Sequence, residues 1–441
     1  MIDKTTVDRI YEAADIVEVI GERITLQRKG TNYIACCPFH KEKTPSFVVS
    51  PSKGIYKCFG CGASGNAVNF VMNYDKISYP QALEKIAQKY GIAIPRKEPD
   101  LKDRKRIASR ERLFAINKWA ADYFASNLKC DAESTNAGAT YLRQQRGFTE
   151  ESINKFGLGF ASSTADALTE DALQSGYKMT TLLNTGLSIK LESGRTVDRF
   201  RERVIFPIHN ITGRIVGFGA RAINSEGVGV AKYLNSPESE IYSKRKILYG
   251  LYFATKPIQQ QGYAILVEGY TDVISLHQAG VENVVSTSGT ALTTEQVALL
   301  KRFTNNATLL FDGDVAGAMA TMRNINMLLE GGMNVKVVSL PADEDPDSFA
   351  RTHSAEQVGE YIEANSEDFL KFKARTLLSQ AGDDPVKRAD AIASVVSSIA
   401  LIDDNIKRAV YVDECARLMV IERTIIGAEV EKRACKVPLI E

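Results

Sequence analysis

The sequence predicts a multidomain α/β protein, and three patterns lead to that prediction. A central segment, Ala264–Thr290 followed by Leu309–Gly317, alternates short apolar runs with a helical stretch, as a parallel sheet requires. Near the N-terminus, cysteine and histidine residues stand in two close pairs, which is typical of a small β domain built around a metal ion. Residues 354–435 carry helical periodicity, which predicts a helical bundle packed on the sheet.

Composition indicates an ordinary globular chain of two or three domains. The 441 residues are 44% hydrophobic and 25% charged, with a formal net charge of +1. Nucleic-acid binding would therefore depend on local clusters of basic residues and not on a global basic field. The N-terminus lacks the apolar stretch of a signal peptide, and no run is long enough to span a membrane. We expect a cytoplasmic protein with no membrane partner.

Shifts in composition divide the chain into five predicted regions. The predicted linker is distinctive because residues 96–112 hold eight basic and four acidic side chains, which is typical of a solvated segment leading into a helix. The regions are a zinc-binding domain at 1–98, a charged linker at 99–112, a mixed α+β basic subdomain at 113–250, a parallel-sheet catalytic subdomain at 251–350 and a helical subdomain at 351–441.

Two residue pairs in the N-terminal region predict a zinc site. Cys37 and His40 form a Cys-x-x-His pair, and Cys58 and Cys61 form a Cys-x-x-Cys pair after 17 intervening residues. Four such ligands suit tetrahedral Zn²⁺, and a site whose four positions are all filled by protein is structural. Cys36 lies next to the first pair and remains an alternative to Cys37. The segment between the pairs predicts the strands of a zinc ribbon.

The same region combines lysines with aromatic residues, which suits a surface on which nucleic-acid bases stack. The alternative is that the aromatic rings form the core of the small domain, and for Phe59, between two ligands, we expect that core position. The residues concerned are Lys41, Lys43, Lys53 and Lys57 with Phe47, Tyr56 and Phe59.

Acidic residues follow the predicted strands of the central segment. Glu268 comes after Ala264–Val267, and Asp312 and Asp314 come after Thr308–Phe311. The carboxyl ends of parallel strands meet at one edge of a sheet, so these side chains are expected to converge. Converging carboxylates repel one another unless a cation lies between them, and hard oxygen ligands suit Mg²⁺ or Mn²⁺.

A second acidic pair follows Val335–Leu340, which is expected to be the last strand of the sheet. Asp345 and Asp347 flank Pro346 in the segment PADEDPDSF. The fixed φ of proline is expected to hold this loop so that both carboxylates face the same metal site.

The basic subdomain contains a predicted antiparallel sheet. Lys155–Ala161 and Arg199–Ile223 show strand patterns, the latter with a turn at Thr212-Gly213. If the segment is extended from Arg199, then Arg199, Arg201 and Arg203 project from one face. Such a row suits a phosphate backbone, because each guanidinium group can bind two phosphate oxygens. The alternative is a charged, solvated sheet face.

Several motifs resemble those of known families. EGYTDV, DGDVAG and EDPDSF resemble the Toprim domain of bacterial primases, topoisomerases and some nucleases, and match the primase version most closely, although Thr271 stands where the family usually has Met. CPFHKEKTPSF and YKCFGCGASGNAVNFVM resemble the zinc domain of bacterial DNA primases, and KYLNSPE and GFGAR their polymerase core. The resemblance covers nearly the whole chain, which is identified as a member of the bacterial DNA primase family of the DnaG type.

The resemblance implies synthesis of short RNA primers on single-stranded DNA from NTPs, with release of pyrophosphate. Glu268, Asp312 and Asp314 would be catalytic, with Glu268 either a metal ligand or a general base. The implied Mg²⁺ or Mn²⁺ ligands are Glu268, Asp272, Asp312, Asp314, Asp345 and Asp347. The implied contacts to the RNA–DNA hybrid and the NTP phosphates are Arg146, Arg199, Arg201, Arg203, Arg221, Lys232, Tyr233, Asn235 and Lys244.

Two other functions remain open from the sequence. A Toprim nuclease or topoisomerase-like strand-cleaving enzyme would use the same acids, although it would not need KYLNSPE or the arginines. A non-catalytic nucleic-acid-binding scaffold would gain nothing from the acids. The family normally carries a further C-terminal domain that binds the replicative helicase, and we expect that contact to lie outside this chain, which we interpret as truncated. No P-loop motif occurs.

Overall fold

A computed structural model describes residues 2–40, 42–75, 77–94, 100–130, 137–223, 231–289, 291–311, 315–341 and 344–434. The chain divides into two compact units, Met1–Arg104 and Lys105–Glu441. The division falls inside the predicted linker 99–112. That segment is not a coil, however, because one helix extends from Leu101 to Cys130. The charged residues from Lys102 to Arg112 are exposed and form the first turns of this helix.

The first unit contains, among its described residues, an antiparallel sheet and the helices α1 to α4. Its first helix ends at Ala13, and Asp15 caps the second by accepting hydrogen bonds from the amides of Val17 and Glu18. The sheet follows chain order. The elements are α1 Lys4–Ala13, α2 Ile16–Gly21, β1 Gln27–Lys29, β2 Asn32–Ala35, β3 Phe47–Ser50, β4 Ile55–Cys58, β5 Ser64–Gly65, α3 Ala67–Asp75 and α4 Tyr79–Lys89.

Aromatic side chains form the core of the first unit. The ring of Phe47 stacks on that of Tyr56 at 5.0 Å between centroids, and Phe70 meets both rings edge-on. Phe59 is 71% exposed, so its predicted core position is wrong. β4 ends at Cys58, whose side chain is buried, and the following turn carries Phe59 outward, where the Lys57 ammonium lies 5.4 Å from its ring.

The second unit begins with the basic subdomain. Its main sheet is antiparallel, in the order β11–β10–β9–β6, and β7 and β8 form a separate hairpin. The elements are α5 Leu101–Cys130, α6 Ala137–Thr140 continued by a π-helical turn at Tyr141–Gln145, α7 Glu150–Phe156, β6 Gly159–Ala161, α8 Ala167–Gln174, α9 Met179–Thr185, β7 Ser188–Lys190, β8 Thr196–Asp198, β9 Arg203–His209, β10 Ile215–Ala222 and β11 Tyr233–Asn235.

Two strand predictions in this subdomain need correction. The strand predicted at Lys155–Ala161 begins only at Gly159, because α7 continues to Phe156 and ends at Gly157, whose φ is +66°. The strand predicted from Arg199 begins only at Arg203. Glu202 has a φ of +48°, which interrupts the extended backbone, so the three arginines do not project from one strand face.

The parallel sheet of the catalytic subdomain is confirmed. Its strands lie in the order β13–β12–β14–β15, and β12, α11 and β13 form the predicted strand–helix–strand unit with parallel strands. A buried cluster that includes Leu266, Val285 and Leu309 packs one face of the sheet. The elements are α10 Leu251–Gln261, β12 Ala264–Val267, α11 Tyr270–Gln278, β13 Val284–Ser286, α12 Thr294–Lys301, β14 Asn306–Phe311, α13 Val315–Glu330 and β15 Asn334–Ser339.

The remaining chain is helical apart from one short strand. β16 pairs antiparallel with β15, so β15 is not the last strand and residues 354–435 are not helical throughout, as predicted. The strand covers the open hydrogen-bonding edge of β15. Among the described residues no helix is long and apolar enough to cross a membrane. The elements are α14 Pro346–Thr352, α15 Ala355–Ala364, β16 Ser366–Asp368, α16 Phe369–Ala381, α17 Pro385–Ala400, α18 Asn405–Met419 and α19 Arg423–Ala434.

Candidate active site and zinc centre

The structure brings the four predicted zinc ligands together. One ligand atom from each of Cys37, His40, Cys58 and Cys61 lies within 4.8 Å of the others. The Sγ atoms of Cys37 and Cys61 are 3.8 Å apart, and Nδ1 of His40 is 3.8 Å from Sγ of Cys58. These spacings and this donor set fit tetrahedral Zn²⁺. Cys36 is exposed and outside the cluster, so the geometry favours Cys37.

Glu42 supports this zinc centre, although the sequence analysis did not identify it. Its Oε2 lies 3.1 Å from Nε2 of His40, which leaves Nδ1 to face the thiols. Its Oε1 accepts hydrogen bonds from the backbone amides of Cys37 at 2.6 Å and Ser46 at 3.1 Å. A carboxylate behind a histidine ligand fixes the orientation of the ring and makes it a stronger donor to the metal. Its position two residues after His40 is the only signal in the sequence.

The acidic edge is the sheet edge where the predicted residues Glu268, Asp272, Asp312 and Asp314 follow the strands β12 and β14. These two strands are adjacent and parallel, as expected. Glu268 directly follows β12, and Asp272 lies in the first turn of α11, where its Oδ2 accepts a hydrogen bond from the Gly269 amide at 2.8 Å. The neighbouring parallel strand β14 ends at Phe311, next to Asp312 in the chain. Asp312 and Asp314 lie outside the described residues. The carboxylates at this edge provide hard oxygen donors, which fit a divalent cation.

Asp345 and Asp347 do not face the same site, which corrects the prediction made from Pro346. Asp345 is the exposed N-cap of α14 and accepts a hydrogen bond from the Ser348 amide at 2.6 Å. Asp347, two residues further into the helix, is 1% exposed and points inward. Its Oδ1 accepts a hydrogen bond from Ser275, and its Oδ2 forms an ion pair with Arg146. Pro346 starts the helix, and helical geometry separates the two side chains.

Two predicted arginines meet at a tyrosine that the sequence analysis missed. The hydroxyl of buried Tyr141 accepts a hydrogen bond from Nε of Arg146 at 2.6 Å and another from Nη1 of Arg221. The guanidinium carbons lie 5.3 and 4.8 Å from the centre of its ring. Tyr141 precedes Arg146 by five residues, but Arg221 comes from β10, so sequence spacing does not reveal the cluster.

Tyr233 connects this basic cluster with the acidic edge. The guanidinium carbon of Arg221 lies 5.7 Å from the Tyr233 ring. Burial raises the pKa of the Tyr233 hydroxyl, and the charge of Asp272 acts in the same direction. The charges of Arg221 and Arg146 oppose this shift in part. Tyr233 lies on β11, whose Asn235 accepts a hydrogen bond from Tyr270 at the start of α11, so this strand reaches the catalytic subdomain. This is the point where the basic and the catalytic subdomain face each other.

The other predicted basic residues have different roles. Arg199 and Arg203 donate hydrogen bonds to the carbonyls of Asn235 and Ala231, so they hold the backbone on both sides of Tyr233. Burial lowers the pKa of both. Arg201 is exposed and binds the carbonyl of Asp198 at 2.9 Å. Lys232 is exposed, and half-burial lowers the pKa of Lys244.

Tyr270 joins the main antiparallel sheet of the basic subdomain to the catalytic subdomain. It follows Gly269 at the start of α11, and its ring stacks on Phe206 of β9 at 5.1 Å. Its hydroxyl donates a hydrogen bond to Oδ1 of Asn235 at 2.8 Å. A Cβ atom at position 219 would overlap its ring, so Gly219 of β10 leaves the space that Tyr270 fills. Asn235 is thereby placed in the same region as Tyr233.

Comparison with known sequences supports the identity of each part. Models of three families match the chain: a CHC2 zinc finger at residues 2–102, the N-terminal domain of the DNA primase catalytic core at 123–255, and a Toprim-like domain at 265–350. The DNA primase of Halalkalibacterium halodurans is 39% identical over 418 residues, which are 94% of this chain and 68% of that protein. The DNA primase of Clostridium acetobutylicum is 36% identical over 93% of this chain and 67% of that protein.

This chain belongs to the DNA primase family. It spans about two thirds of the length of these two curated primases and 57% of that of the Pseudomonas aeruginosa primase. Solved primase structures agree with the assignment. The zinc-binding and RNA polymerase domains of the Aquifex aeolicus primase match with a TM-score of 0.63 and 33% identity, over 96% of this chain and 98% of that one.

A Pseudomonas aeruginosa DNA primase domain matches with a TM-score of 0.64 and 30% identity, over 72% of this chain and 99% of that one. A DnaG primase catalytic domain bound to single-stranded DNA matches with a TM-score of 0.61 and 30% identity, over 70% of this chain and 99% of that one. The predicted fold class and the assignment to the DNA primases are confirmed, and the nuclease alternative is not favoured. The match to a CHC2 zinc finger also supports zinc binding by the N-terminal unit, and the match to a Toprim-like domain supports a divalent metal at the acidic edge.

Proposed function

We propose that this primase chain synthesises short RNA primers on a single-stranded DNA template at replication forks in the cytoplasm. The observation that carries the proposal is the position of the arginine pair beside the acidic sheet edge: Arg146 pairs with Asp347, whose other oxygen accepts from Ser275 of α11, one turn after Asp272. Nucleotidyl transfer from an NTP needs both, because a triphosphate must be held and the charge that develops on it must be neutralised. A strand-cleaving enzyme has no need of a triphosphate site.

In the proposed reaction, the 3′-hydroxyl of a ribonucleotide or primer attacks the α-phosphorus of an incoming NTP. A new P–O bond forms, the bond from the α-phosphorus to the oxygen bridging it to the β-phosphorus breaks, and pyrophosphate leaves. When bound, Mg²⁺ or Mn²⁺ would lower the pKa of the attacking hydroxyl and neutralise the triphosphate. Glu268 either accepts the hydroxyl proton or holds the metal.

The proposed metal ligands lie at the ends of adjacent strands. Glu268 follows β12, Asp272 is in the next helical turn, and Asp312 and Asp314 follow β14. Asp345 remains a candidate, because its side chain is exposed at the N-terminus of α14. Carboxylate ligands with open positions for phosphate oxygens suit Mg²⁺, which keeps several water or substrate ligands.

Basic residues would bind the nucleic acid and the nucleotide. Arg146 and Arg221 suit the NTP phosphates, because they meet at Tyr141 and Arg146 is linked through Asp347 to α11, which begins at the acidic edge. Lys232, Lys244 and the exposed Arg201 suit the template and the RNA–DNA hybrid, because they are accessible or half-buried cations outside the ion-paired core. The replicative helicase remains a predicted partner.

The zinc unit would contact the template. Phe59 presents an exposed ring with the Lys57 ammonium 5.4 Å away, a combination that allows a base to stack while a phosphate is bound. The zinc itself is structural in this proposal, since four protein side chains fill its coordination.

The test is primer synthesis on single-stranded DNA with labelled NTPs and Mg²⁺ or Mn²⁺. We expect short RNA oligomers from the wild-type chain and none from Asp312→Asn. Asp390→Asn, on the exposed side of α17, is the matched control and should keep full activity. Degraded template without new RNA would refute the proposal in favour of a nuclease. Equal synthesis by Asp312→Asn would refute the metal-site assignment.

A further inference from the structure

Arg221 carries a charge that no carboxylate compensates within the described part of the chain. Its side chain contacts the hydroxyl and ring of Tyr141 and the ring of Tyr233. Its Nε is buried and has no hydrogen-bond partner among the described residues. Buried N–H groups are nearly always satisfied in folded proteins, and a cationic one without a partner is suited to an anion. The anion that fits the proposed function is a phosphate of the NTP.

Arg146 is held from two sides. Its Nε donates to the hydroxyl of Tyr141, and its Nη1 forms the ion pair with Asp347. An arginine side chain loses considerable rotamer freedom when it is fixed. Two partners at different nitrogens of one planar guanidinium group determine both its position and its plane. The other N–H groups of Arg146 therefore point in a fixed direction before a nucleotide binds.

Asp347 uses both carboxylate oxygens on protein partners. Oδ1 accepts from Ser275, and Oδ2 pairs with Arg146, while Nε of Arg351 lies 3.6 Å from the same oxygen. The side chain is 1% exposed. A metal ligand would need an oxygen directed at the cation, whereas both oxygens here are already engaged with a hydroxyl or a guanidinium group.

Tyr141 bridges two cations with one oxygen. Its hydroxyl accepts from both Arg146 and Arg221, and its ring lies beside both guanidinium groups. Guanidinium groups so close together repel each other. The electron-rich ring and the shared acceptor offset part of that repulsion. Removal of the hydroxyl alone should let the two groups move apart.

We infer that Tyr141 and Asp347 are positioning residues, which fix the guanidinium groups of Arg146 and Arg221 to bind the phosphates of the incoming NTP, and that Asp347 does not ligate the catalytic metal. The inference rests on the proposed function and deepens it. It replaces the metal-ligand role that the sequence suggested for Asp347 with a role in nucleotide binding.

The first experiment compares Tyr141→Phe with wild type in steady-state primer extension. The variant keeps the ring and loses only the shared acceptor. We expect the KM for NTP to rise about tenfold, as for one charge-assisted hydrogen bond, while kcat changes less than about threefold. Tyr252→Phe, on an exposed part of α10, is the matched control and should match wild type. An unchanged KM in Tyr141→Phe would overturn the positioning role of Tyr141.

The second experiment separates positioning from metal binding in the zinc-loaded chain. Mn²⁺ alone is titrated by electron paramagnetic resonance into wild type, Asp347→Asn and Glu268→Gln. We expect Asp347→Asn to keep its Mn²⁺ affinity within about twofold and to raise the KM for NTP about tenfold. Glu268→Gln should weaken Mn²⁺ binding at least about fivefold. An equal loss of Mn²⁺ affinity in Asp347→Asn would show that Asp347 is a ligand.

A second variant and a binding measurement distinguish failure of this inference from failure of the proposed function. If Asp347→Asn fails to fold, Asp347→Glu retains the charge and displaces Arg146, and it should raise the KM with unchanged Mn²⁺ affinity. Binding of a fluorescent ATP analogue is measured in parallel, because it does not require catalysis. If wild type makes no primers but Tyr141→Phe still weakens this binding, the proposed function fails and the inference stands. If wild type makes primers and the variant binds equally well, the inference alone fails.

Discussion

The buried Lys373 gives a sharp prediction about stability. It lies in α16 with 2% of its surface exposed, and its Nζ donates to Oγ of Ser398 at 2.6 Å. Burial lowers the pKa of Lys373 from 10.5 to about 8. Because the folded-state pKa is the lower one, the unfolded chain binds more protons between these values, and stability rises with pH in that window. The charged form at pH 7 costs about 3 kcal/mol, at about 1.4 kcal/mol for each pH unit.

Lys373→Met should remove most of this cost. Ser398 still donates to Oδ1 of Asn326 at 2.6 Å, so its hydroxyl is not left without a partner. After subtraction of about 1 kcal/mol for the lost hydrogen bond, we expect the variant to be about 1–3 kcal/mol more stable than wild type at pH 7. The wild type should gain about 2 kcal/mol between pH 7 and pH 9.5, and this gain should be absent in the variant.

Urea unfolding followed by Trp119 fluorescence measures this effect. Trp119 is the only tryptophan and belongs to the unit that contains Lys373. Lys371→Met, at an exposed position of the same helix, is the control and should follow the wild-type pH profile. Parallel profiles for wild type and Lys373→Met, or a less stable variant at pH 7, would refute the reasoning, since either result requires a lysine that keeps its ordinary pKa.

Three further predictions concern other parts of the chain. Cys58→Ser should lose the bound zinc, measured by atomic absorption, and unfold the first unit by circular dichroism, whereas Cys36→Ser should retain one zinc ion. Gly219→Ala should destabilise the second unit by about 1–3 kcal/mol in urea, because the added methyl group overlaps the Tyr270 ring; unchanged stability would show that the ring can move aside. Burial, together with Lys155, lowers the pKa of His277 to about 4, so stability should fall as pH drops from 6.5 towards 4. A proton-resonance titration that placed His277 near its ordinary value would contradict this.

The sequence predicted features that depend on residues close together in the chain. The zinc ligands occur in two pairs with fixed local spacing, so the ribbon had to bring only two short segments together. The acids of the Toprim edge follow apolar strands, and parallel pairing of β12 and β14 places their ends side by side. The buried positions Val395, Val396 and Ile399 followed from helical periodicity.

The features that the sequence did not predict depend on single backbone angles or on contacts between distant segments. One positive φ at Glu202 removed Arg199 and Arg201 from the strand face. The turn after Cys58 carried Phe59 outward although Cys58 itself is buried. Tyr141 and Arg221 are 80 residues apart, and Arg146 and Asp347 are 201 apart. No local pattern encodes such pairs.

The insertion of Tyr270 has a consequence for how the primer grows. Tyr270 starts α11 two residues after Glu268, and it is held by Phe206, Asn235 and the space at Gly219. In the proposed function, the spacing between the arginine pair and the acidic edge would therefore depend on this packed aromatic ring. As each nucleotide is added, the hybrid would then advance through a gap whose width depends on the packing of this one ring.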